Sequence, residues 1–516
     1  MREVSLHDHG FGNGFIIDFI RQMTNAGVDL IEIGFLKTGE YRTGSTLFSK
    51  VEQIDYILKK VSGHCKCVAL IDHGRFDVSS LPEASETSLY GVRVCFKKNQ
   101  ITEVLTDVEI LVKKGYRVFV QHVDIMSYSD NEICSFIDRL NERKVTGYSI
   151  VDTFGAMYMD DIERIFKLVD NKLDDGIVIG IHAHNNKMIA NALTMKASEI
   201  VCNRDIVLDA TILGAGRGAG NANTEILMDY LSKKHGKHYH PEYLMNVVDK
   251  LEVIVKDRFS WGYRFPFFLA GVHDAHVFII DYLLTHHNIA SNDIDQLLSA
   301  MSEDEKKRYN YSYLDRLMIE EADRKVDDKE ALYNLKEMIG DKKIIAVGPG
   351  TSIKEYYERI NNYHASGDYV VFTINHINDD LEIDGIFISH ITRYIQLKDR
   401  LTAADHCYIT SNIINDTGQC NTVAYNMLIK AGWVNFDNSL ILFLRLLLRI
   451  GVAEVVLAGF DGFTENEEND YINKEYCTGK CDKEIELLNR EIAEMIEDVE
   501  KEGIKVSFLT PSIYKR

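Results

Sequence analysis

Across residues 1–235, short apolar runs rich in β-branched residues alternate with longer amphipathic stretches, and the alternation repeats eight times. The strand-like runs are Glu3–His7, Asp29–Phe35, Cys67–Asp72, Gly91–Phe96, Arg117–His122, Tyr148–Thr153, Ile177–His184 and Ile206–Thr211. Between them, apolar residues recur every three or four positions, as in Gly14–Ala26, Leu47–Lys60 and Ile101–Lys114, which is the helical period. Near-continuous apolar strands joined by helices call for a parallel sheet covered on its outer face. Eight units in about 230 residues fit a closed (β/α)8 TIM barrel, with a doubly wound open sheet as the rival.

A barrel of this kind carries its chemistry at the carboxyl ends of the strands. Here those ends read His7-Asp8-His9, Glu32 with Gly34, Asp72-His73, Arg93, Gln121-His122, Asp152-Thr153, His182-Ala183-His184, and Asp209 with Thr211. A polar or ionisable group at nearly every end predicts one convergent site.

His182 and His184 are one residue apart on a predicted strand, and a period of two puts both imidazoles on one face. With the Asp8 carboxylate from the first strand they make a facial set that leaves positions open for substrate oxygens. Nitrogen and oxygen ligands without thiolate suit Mn²⁺ or Mg²⁺ first, with Fe²⁺, Zn²⁺ and Co²⁺ as alternatives.

Two longer motifs extend this reading, His182-Ala183-His184-Asn185-Asn186 and Gly214-Ala215-Gly216-Arg217-Gly218-Ala219-Gly220-Asn221-Ala222-Asn223-Thr224-Glu225. Together with Ser5-Leu6-His7-Asp8 and Ile31-Glu32-Ile33-Gly34-Phe35, they resemble the signatures of the DRE-TIM metallolyases over roughly residues 2–285. That superfamily includes 4-hydroxy-2-oxovalerate aldolase, hydroxymethylglutaryl-CoA lyase and isopropylmalate synthase. The resemblance implies Asp8, His182 and His184 as metal ligands and Asn221 as a further ligand or neighbour. It implies a 2-oxo acid whose enolate is stabilised and an aldehyde as the second substrate. Two departures bear on the chemistry. His7 stands where the family has an arginine, and Gly10-Phe11-Gly12-Asn13-Gly14 lacks the histidine that aldolases carry there. His9, His73 and His122 are candidates for the general base, and Arg93 for holding a carboxylate or phosphate. The rival readings are an acetyl-CoA-dependent condensing enzyme and a weakened barrel tethered to a glycosyltransferase.

Charge narrows the partners. Lys plus Arg number 58 and Asp plus Glu 79, a formal net charge of −21, which argues against nucleic acid and anionic membrane as partners. The amino terminus has no signal-peptide core. The nine cysteines are scattered, which suits free thiols and a cytoplasmic location. A homo-oligomer is expected.

Residues 236–340 read as a helical extension and linker, with 287–340 as solvated charged helices. A second α/β pattern fills 341–516, with strands near Ile344–Val347, Tyr369–Ile374, Gly385–Ile388, Cys407–Ile409, Glu454–Leu457 and Lys505–Leu509. That order predicts an open, parallel, Rossmann-like sheet. Gly348-Pro349-Gly350-Thr351-Ser352, Thr373-Ile374-Asn375 and Ala458-Gly459-Phe460-Asp461-Gly462 resemble the nucleotide-binding core of bacterial sialyltransferase-like proteins over about 342–465. The resemblance implies a nucleotide or nucleotide-sugar pocket near Gly350, Ser352, Asn375 and Asp461, and a place in bacterial surface-polysaccharide synthesis. An α/β domain used only for docking is the alternative.

Overall fold

The computed structural model describes residues 1–6, 10–61, 65–255, 261–287, 289–321, 326–401, 406–464, 470–473 and 482–515. The chain divides into two compact units, Met1–Phe278 and Ile279–Arg516.

The first unit is a closed parallel barrel. Its strands are β1 (Arg2–Glu3), β2 (Leu30–Leu36), β3 (Leu47–Phe48), β4 (Cys67–Asp72), β5 (Gly91–Cys95), β6 (Arg117–His122), β7 (Gly147–Asp152), β8 (Val178–Ala183) and β9 (Ile206–Ala210). They run in the order β1-β9-β8-β7-β6-β5-β4-β2-β3, and pairing of β1 with β2 closes the ring. The short β3 lies outside the ring and, among the described residues, pairs with β2 alone. It sits where the β2–β4 register shifts between Glu32 and Phe35. There Gly34 has φ +135°, and a Cβ would lie 2.2 Å from the Thr46 carbonyl oxygen, so glycine is what lets β3 approach.

Parity along the strands sorts the core into two layers. Ile31, Ile33, Ala69, Ile71, Val92, Val94, Val118, Val120 and Ile179 face outward and join the helices through Ile16, Phe19, Val108 and Phe136. Leu30, Val68 and Phe119 face inward, with Val178 and Val207 against them. The helices start where the sequence supplies caps. Ser129 accepts from the Glu132 N–H, and Glu132 reaches back to the Ser129 N–H, opening the helix Asp130–Asn141, a reciprocal cap that satisfies two otherwise unpaired donors.

The second unit is a seven-stranded, all-parallel sheet: β10 (Lys343–Val347), β11 (Tyr369–Ile374), β12 (Gly385–Ile388), β13 (His406–Thr410), β14 (Asn421–Val423), β15 (Glu454–Ala458) and β16 (Lys505–Phe508). The order is β14-β13-β12-β11-β10-β15-β16, so strand order reverses between β10 and β15. β14, three residues long, is too short to stand out as a run in the sequence. The helix Ser439–Arg449 is buried along almost its whole length.

Two expectations change. The stretch 236–340, expected as a helical extension and linker, divides between the two units. The helix Pro241–Val255 belongs to the barrel, where Asn246 bonds Gln22 and Lys250 pairs with Asp18 at 2.6 Å. The charged helices beyond 279 belong to the second unit, where buried Asp328 pairs with Arg449 and takes the Ala424 N–H. Not all thiols are free either: Cys407 and Cys420 form a disulfide, their Cα atoms 4.7 Å apart. Cys65, Cys67, Cys95, Cys134 and Cys202 are free thiols. Among the described residues, no helix is long and apolar enough to cross a membrane.

Candidate active site at the barrel mouth

A polar layer lies above the inward-facing apolar residues. Arg2 is fully buried and grips Asp209 through Nε and Nη2 at 2.7 and 2.8 Å. Arg93 donates to Glu32, to Gln121 at 2.6 Å and to Asp209 at 2.6 Å. Burial works against the Asp209 charge, but Arg2 and Arg93 outweigh it and hold the carboxyl well below the usual range. Burial also works against the Arg93 charge, and Asp209 and Glu32 more than compensate. The side chains β1, β2, β5, β6 and β9 turn inward are thus locked into one ionic network, where removing a member strands a charge.

His182 extends this network upward. Its Nδ1 lies 3.1 Å from Asp209 Oδ2. His184 Nδ1 lies 2.9 Å from the Asp152 carbonyl oxygen. The two rings are 4.9 Å apart, centre to centre. With each Nδ1 facing an acceptor, each ring carries its proton there and turns Nε2 to the opposite side of the ring. Asn221 stands next to His184 through an isolated bridge. It is buried, its Nδ2 donates to Ala215 at 2.9 Å, and its Oδ1 has no hydrogen-bond partner among the described residues. Two tautomer-fixed imidazoles beside an orphaned carbonyl oxygen fit a divalent cation. Among the described residues no three His, Cys, Asp or Glu side chains group as a ligand set; Asp8, with His7 and His9, lies outside the described residues.

The glycine-rich loop explains how Asn221 is set. Gly220 has φ +88°, and a Cβ there would lie 2.0 Å from the Gly214 carbonyl oxygen. The Asn221 N–H donates to that same oxygen, and the Gly220 oxygen accepts from Asn185. The loop is thereby stitched to itself and to the segment after β8.

The remaining sequence candidates separate. His73 pairs with Asp107, in the first turn of the helix Val104–Lys113, at 2.6 Å. The structure turns His122 away from the barrel axis. On β6, Phe119 and Gln121 point inward, so His122 points outward among Phe96, Tyr128, Phe136 and Tyr148. Burial pushes its pKa down to about 3, so it is a neutral core group and stands apart from the mouth. Arg93 lies at the site but spends three hydrogen bonds inside the barrel. Its Nε alone has no partner among the described residues. The sequence marks Asp152 and Asp209 only as strand-end groups of the mouth, and it gives Arg2 no role. The available signal was charge at every second position of otherwise apolar runs. Asp152 is buried and takes the Ala156 and Met157 N–H groups, while burial raises its pKa to about 7.

The helix Phe265–Val272 lies over the loops after β7 and β8. A Cβ at Gly271 would lie 3.0 Å from the Gly155 carbonyl oxygen and 3.2 Å from Asn186 Cβ. His276 stacks edge-on against Phe154 at 5.8 Å.

In the second unit, Gly350, Asn375 and Asp461 line one cavity of about 630 Å³. Ser352 does not. Its N–H and hydroxyl both go to Asp461, so the donors expected to face a phosphate at this turn are already taken.

The HMGL-like family model matches residues 16–249. The chain is 30% identical over 222 residues to a 4-hydroxy-2-oxovalerate aldolase of Thermus thermophilus, covering 41% of this chain and 60% of that protein. It is 29% identical over 143 residues to an oxaloacetate decarboxylase of Mycobacterium tuberculosis, covering 28% and 41% respectively. The chain therefore spans about half the length of these two relatives. A solved Bacteroides vulgatus domain, provisionally assigned as an aldolase, aligns over 58% of this chain and 96% of its own, with 18% identity and a TM-score of 0.47. Members of the matched family are lyases and aldolases. Residues 16–249 are an HMGL-like domain of the DRE-TIM superfamily, with 4-hydroxy-2-oxovalerate aldolases among its homologues.

Proposed function

We propose that the barrel is a divalent-metal-dependent carbon–carbon lyase acting on a 2-oxo acid and an aldehyde. One observation carries this reading. His182 and His184 stand side by side with Nδ1 fixed by Asp209 and by the Asp152 carbonyl, next to the orphaned Asn221 oxygen. His182, His184 and Asp8 would hold the ion, with Asn221 beside them. When bound, a divalent ion supplies Lewis acidity toward the keto and carboxylate oxygens of the 2-oxo acid. Asp209 holds the His182 ring in place, and the pair of arginines keeps Asp209 ionised so that it can do so. In the lyase direction a base at the mouth takes the aldol hydroxyl proton as the carbon–carbon bond breaks. The bond's electrons pass to the 2-oxo acid fragment, and the other fragment leaves as the aldehyde. His9 and His73 are the candidates for that base, and His7 for donating to the developing oxyanion in place of arginine.

The test is metal content after dialysis, together with pyruvate and oxalate titrations, for the wild-type protein and His184→Ala. The proposal expects one ion per chain and metal-dependent oxalate binding in wild type, both lost in the variant. Equal metal content in the two proteins would overturn it.

For the second unit, the cavity shared by Gly350, Asn375 and Asp461 favours a nucleotide or nucleotide-sugar ligand. It lies at the carboxyl edge of the sheet where strand order reverses, the usual place for a ligand in open α/β sheets. Together the two readings describe an aldolase-type barrel fused to a sugar-nucleotide-handling domain. Calorimetry with cytidine and uridine nucleotides tests the second; no binding at millimolar nucleotide leaves docking as the better account.

A further inference from the structure

The barrel mouth carries cations on the side away from the two histidines. In the closed ring β1-β9-β8-β7-β6-β5-β4-β2, β4 stands four strands from β8 in either direction. The carboxyl end of β4 therefore lies across the mouth from His182 and His184. Parity sets the direction of Asp72 at that end. Ala69 and Ile71 face the helices and Val68 faces inward, so Asp72 turns inward as well. Its register partner is Cys95, which shares the inward parity of Arg93. The two side chains meet, with the Cys95 thiol 3.7 Å from Asp72 Oδ1.

Asp72 in turn fixes an arginine. Arg75 Nε lies 2.9 Å from Asp72 Oδ2. The turn between them is tied down, since the Arg75 N–H donates to the Asp72 carbonyl and the Arg75 carbonyl accepts from Thr38, each at 2.9 Å. The guanidinium is thus held by one edge at the mouth, with 47% of its side chain exposed. Among the described residues no hydrogen bond takes its two Nη groups. The neighbouring acids are already matched, Asp72 by Arg75 and Cys95, and Asp107 by His73 at 2.6 Å.

The adjacent strand adds a second cation. Lys97 lies just beyond the end of β5, and its Nζ is in no ion pair or hydrogen bond among the described residues. Its charge is felt at the mouth. Burial first, then Arg217 and Lys97, push the pKa of His276 down to about 4, and His276 is the ring set edge-on against Phe154. In a chain of net charge −21, two cations on neighbouring strand ends reverse the average sign locally. Arg93, the arginine that the sequence offers for an anion, is engaged inside the barrel.

Carbon–carbon bond making decides what meets these groups. With a 2-oxo acid at the two histidines, the aldehyde presents its carbonyl carbon there and its tail runs toward β4 and β5. We propose that Arg75 is a specificity-determining residue whose Nη groups receive a carboxylate or phosphate on the tail of the aldehyde, with Lys97 beside it. The free end of a guanidinium offers two parallel donors to two such oxygens. The inference rests on the lyase reading of the barrel given above and adds that the second substrate is an anion.

The experiment is calorimetry on the full-length protein loaded with Mn²⁺ and oxalate, an enolate mimic. It is titrated with succinic semialdehyde and with butanal, which has the same carbon chain and no charge. Glycolaldehyde phosphate and glycolaldehyde form a second matched pair, which separates a phosphorylated tail from a carboxylated one. Wild type binds at least one charged aldehyde about tenfold or more tighter than its neutral match, a difference of about 1.4 kcal/mol. Arg75→Gln removes that preference and leaves the neutral aldehydes unchanged, and Arg75→Lys keeps part of it. No preference in wild type, a preference that survives in Arg75→Gln, or equal loss of charged and neutral aldehydes overturns the proposal. Exchange of the pyruvate methyl protons with deuterated water, followed by NMR without aldehyde, reads the 2-oxo acid chemistry by itself. That exchange is the same in wild type and Arg75→Gln, and its loss in the variant also overturns the proposal. Exchange absent from wild type with the charge preference intact would sink the lyase reading and leave the anion site standing.

Discussion

Asp209 Oδ2 faces His182 Nδ1 at 3.1 Å with the same carboxylate that Arg2 holds through two nitrogens. The ring of a proposed metal ligand is therefore oriented by a charge that is itself fixed by buried arginines. Asp209→Asn breaks both links. It leaves Arg2 and Arg93 with unbalanced buried charge, at an expected cost of about 3–5 kcal/mol in urea unfolding. In protein that remains folded, Mn²⁺ affinity falls by about 10–100-fold, the usual effect of removing the partner that orients a ligating histidine. Unchanged Mn²⁺ affinity in a folded Asp209→Asn protein would separate the network from the site.

Much of this barrel is legible in the residues, and the limits are physical. His182 and His184 share a face because two positions on a strand must, and spacing alone says so. The same parity, applied to Phe119 and Gln121 inside β6, excludes His122 from the axis. It is easily missed, because every strand end looks alike until the inward register is known. Arg93 looks like a substrate-binding group until Glu32, Gln121 and Asp209 are seen around it, and those partners come from three other strands. Ser352 and Asp461 are 109 residues apart, so no local pattern shows that each satisfies the other. The Cys407–Cys420 disulfide depends on β13 running beside the segment that leads into β14, a strand too short to read in advance.

The glycine-rich loop gives a second prediction. At Gly220 the backbone is left-handed and a Cβ would collide with the Gly214 carbonyl. Gly220→Ala therefore forces the Gly214 oxygen away from the Asn221 N–H it now accepts. The expected destabilisation is about 1–3 kcal/mol, with a loss of metal affinity because Asn221 moves. Gly236→Ala serves as control. It too is left-handed, at φ +62°, but nothing lies within 4 Å of its Cβ, so it should carry backbone strain without losing metal.

His122 supplies a pH test. Burial holds its folded pKa at about 3, against an ordinary 6.5. Between those values the unfolded chain binds a proton that the folded chain does not, so stability falls as pH drops through that window. The Tyr148 hydroxyl and His122 Nδ1 are hydrogen-bonded to each other, so replacing His122 alone would strand that hydroxyl. The pair His122→Phe with Tyr148→Phe removes both partners, which costs little at pH 7. The double variant should keep its turnover and lose part of the acid sensitivity. A large loss of turnover with intact folding would bring His122 back as a base.

His287 works in the opposite sense. Burial opposes its charge, but hydrogen bonds and charge from Asp315 and Asp437 raise its pKa to about 9 from 6.5. Tyr282 at 5.5 Å and Phe436 at 4.8 Å complete its surroundings and add no charge. Between 6.5 and 9 the folded chain holds a proton that the unfolded chain has released. The stabilisation is thus complete below about pH 6.5 and disappears as pH rises through 9. At about 1.4 kcal/mol per unit, the shift corresponds to roughly 3 kcal/mol. His287→Gln keeps a donor toward Asp315 but cannot titrate. Its unfolding free energy should be lower than wild type at pH 6 and converge on it near pH 10, read from urea melts at each pH. Parallel curves for the two proteins across that range would mean that His287 is not held as an imidazolium between its two carboxylates.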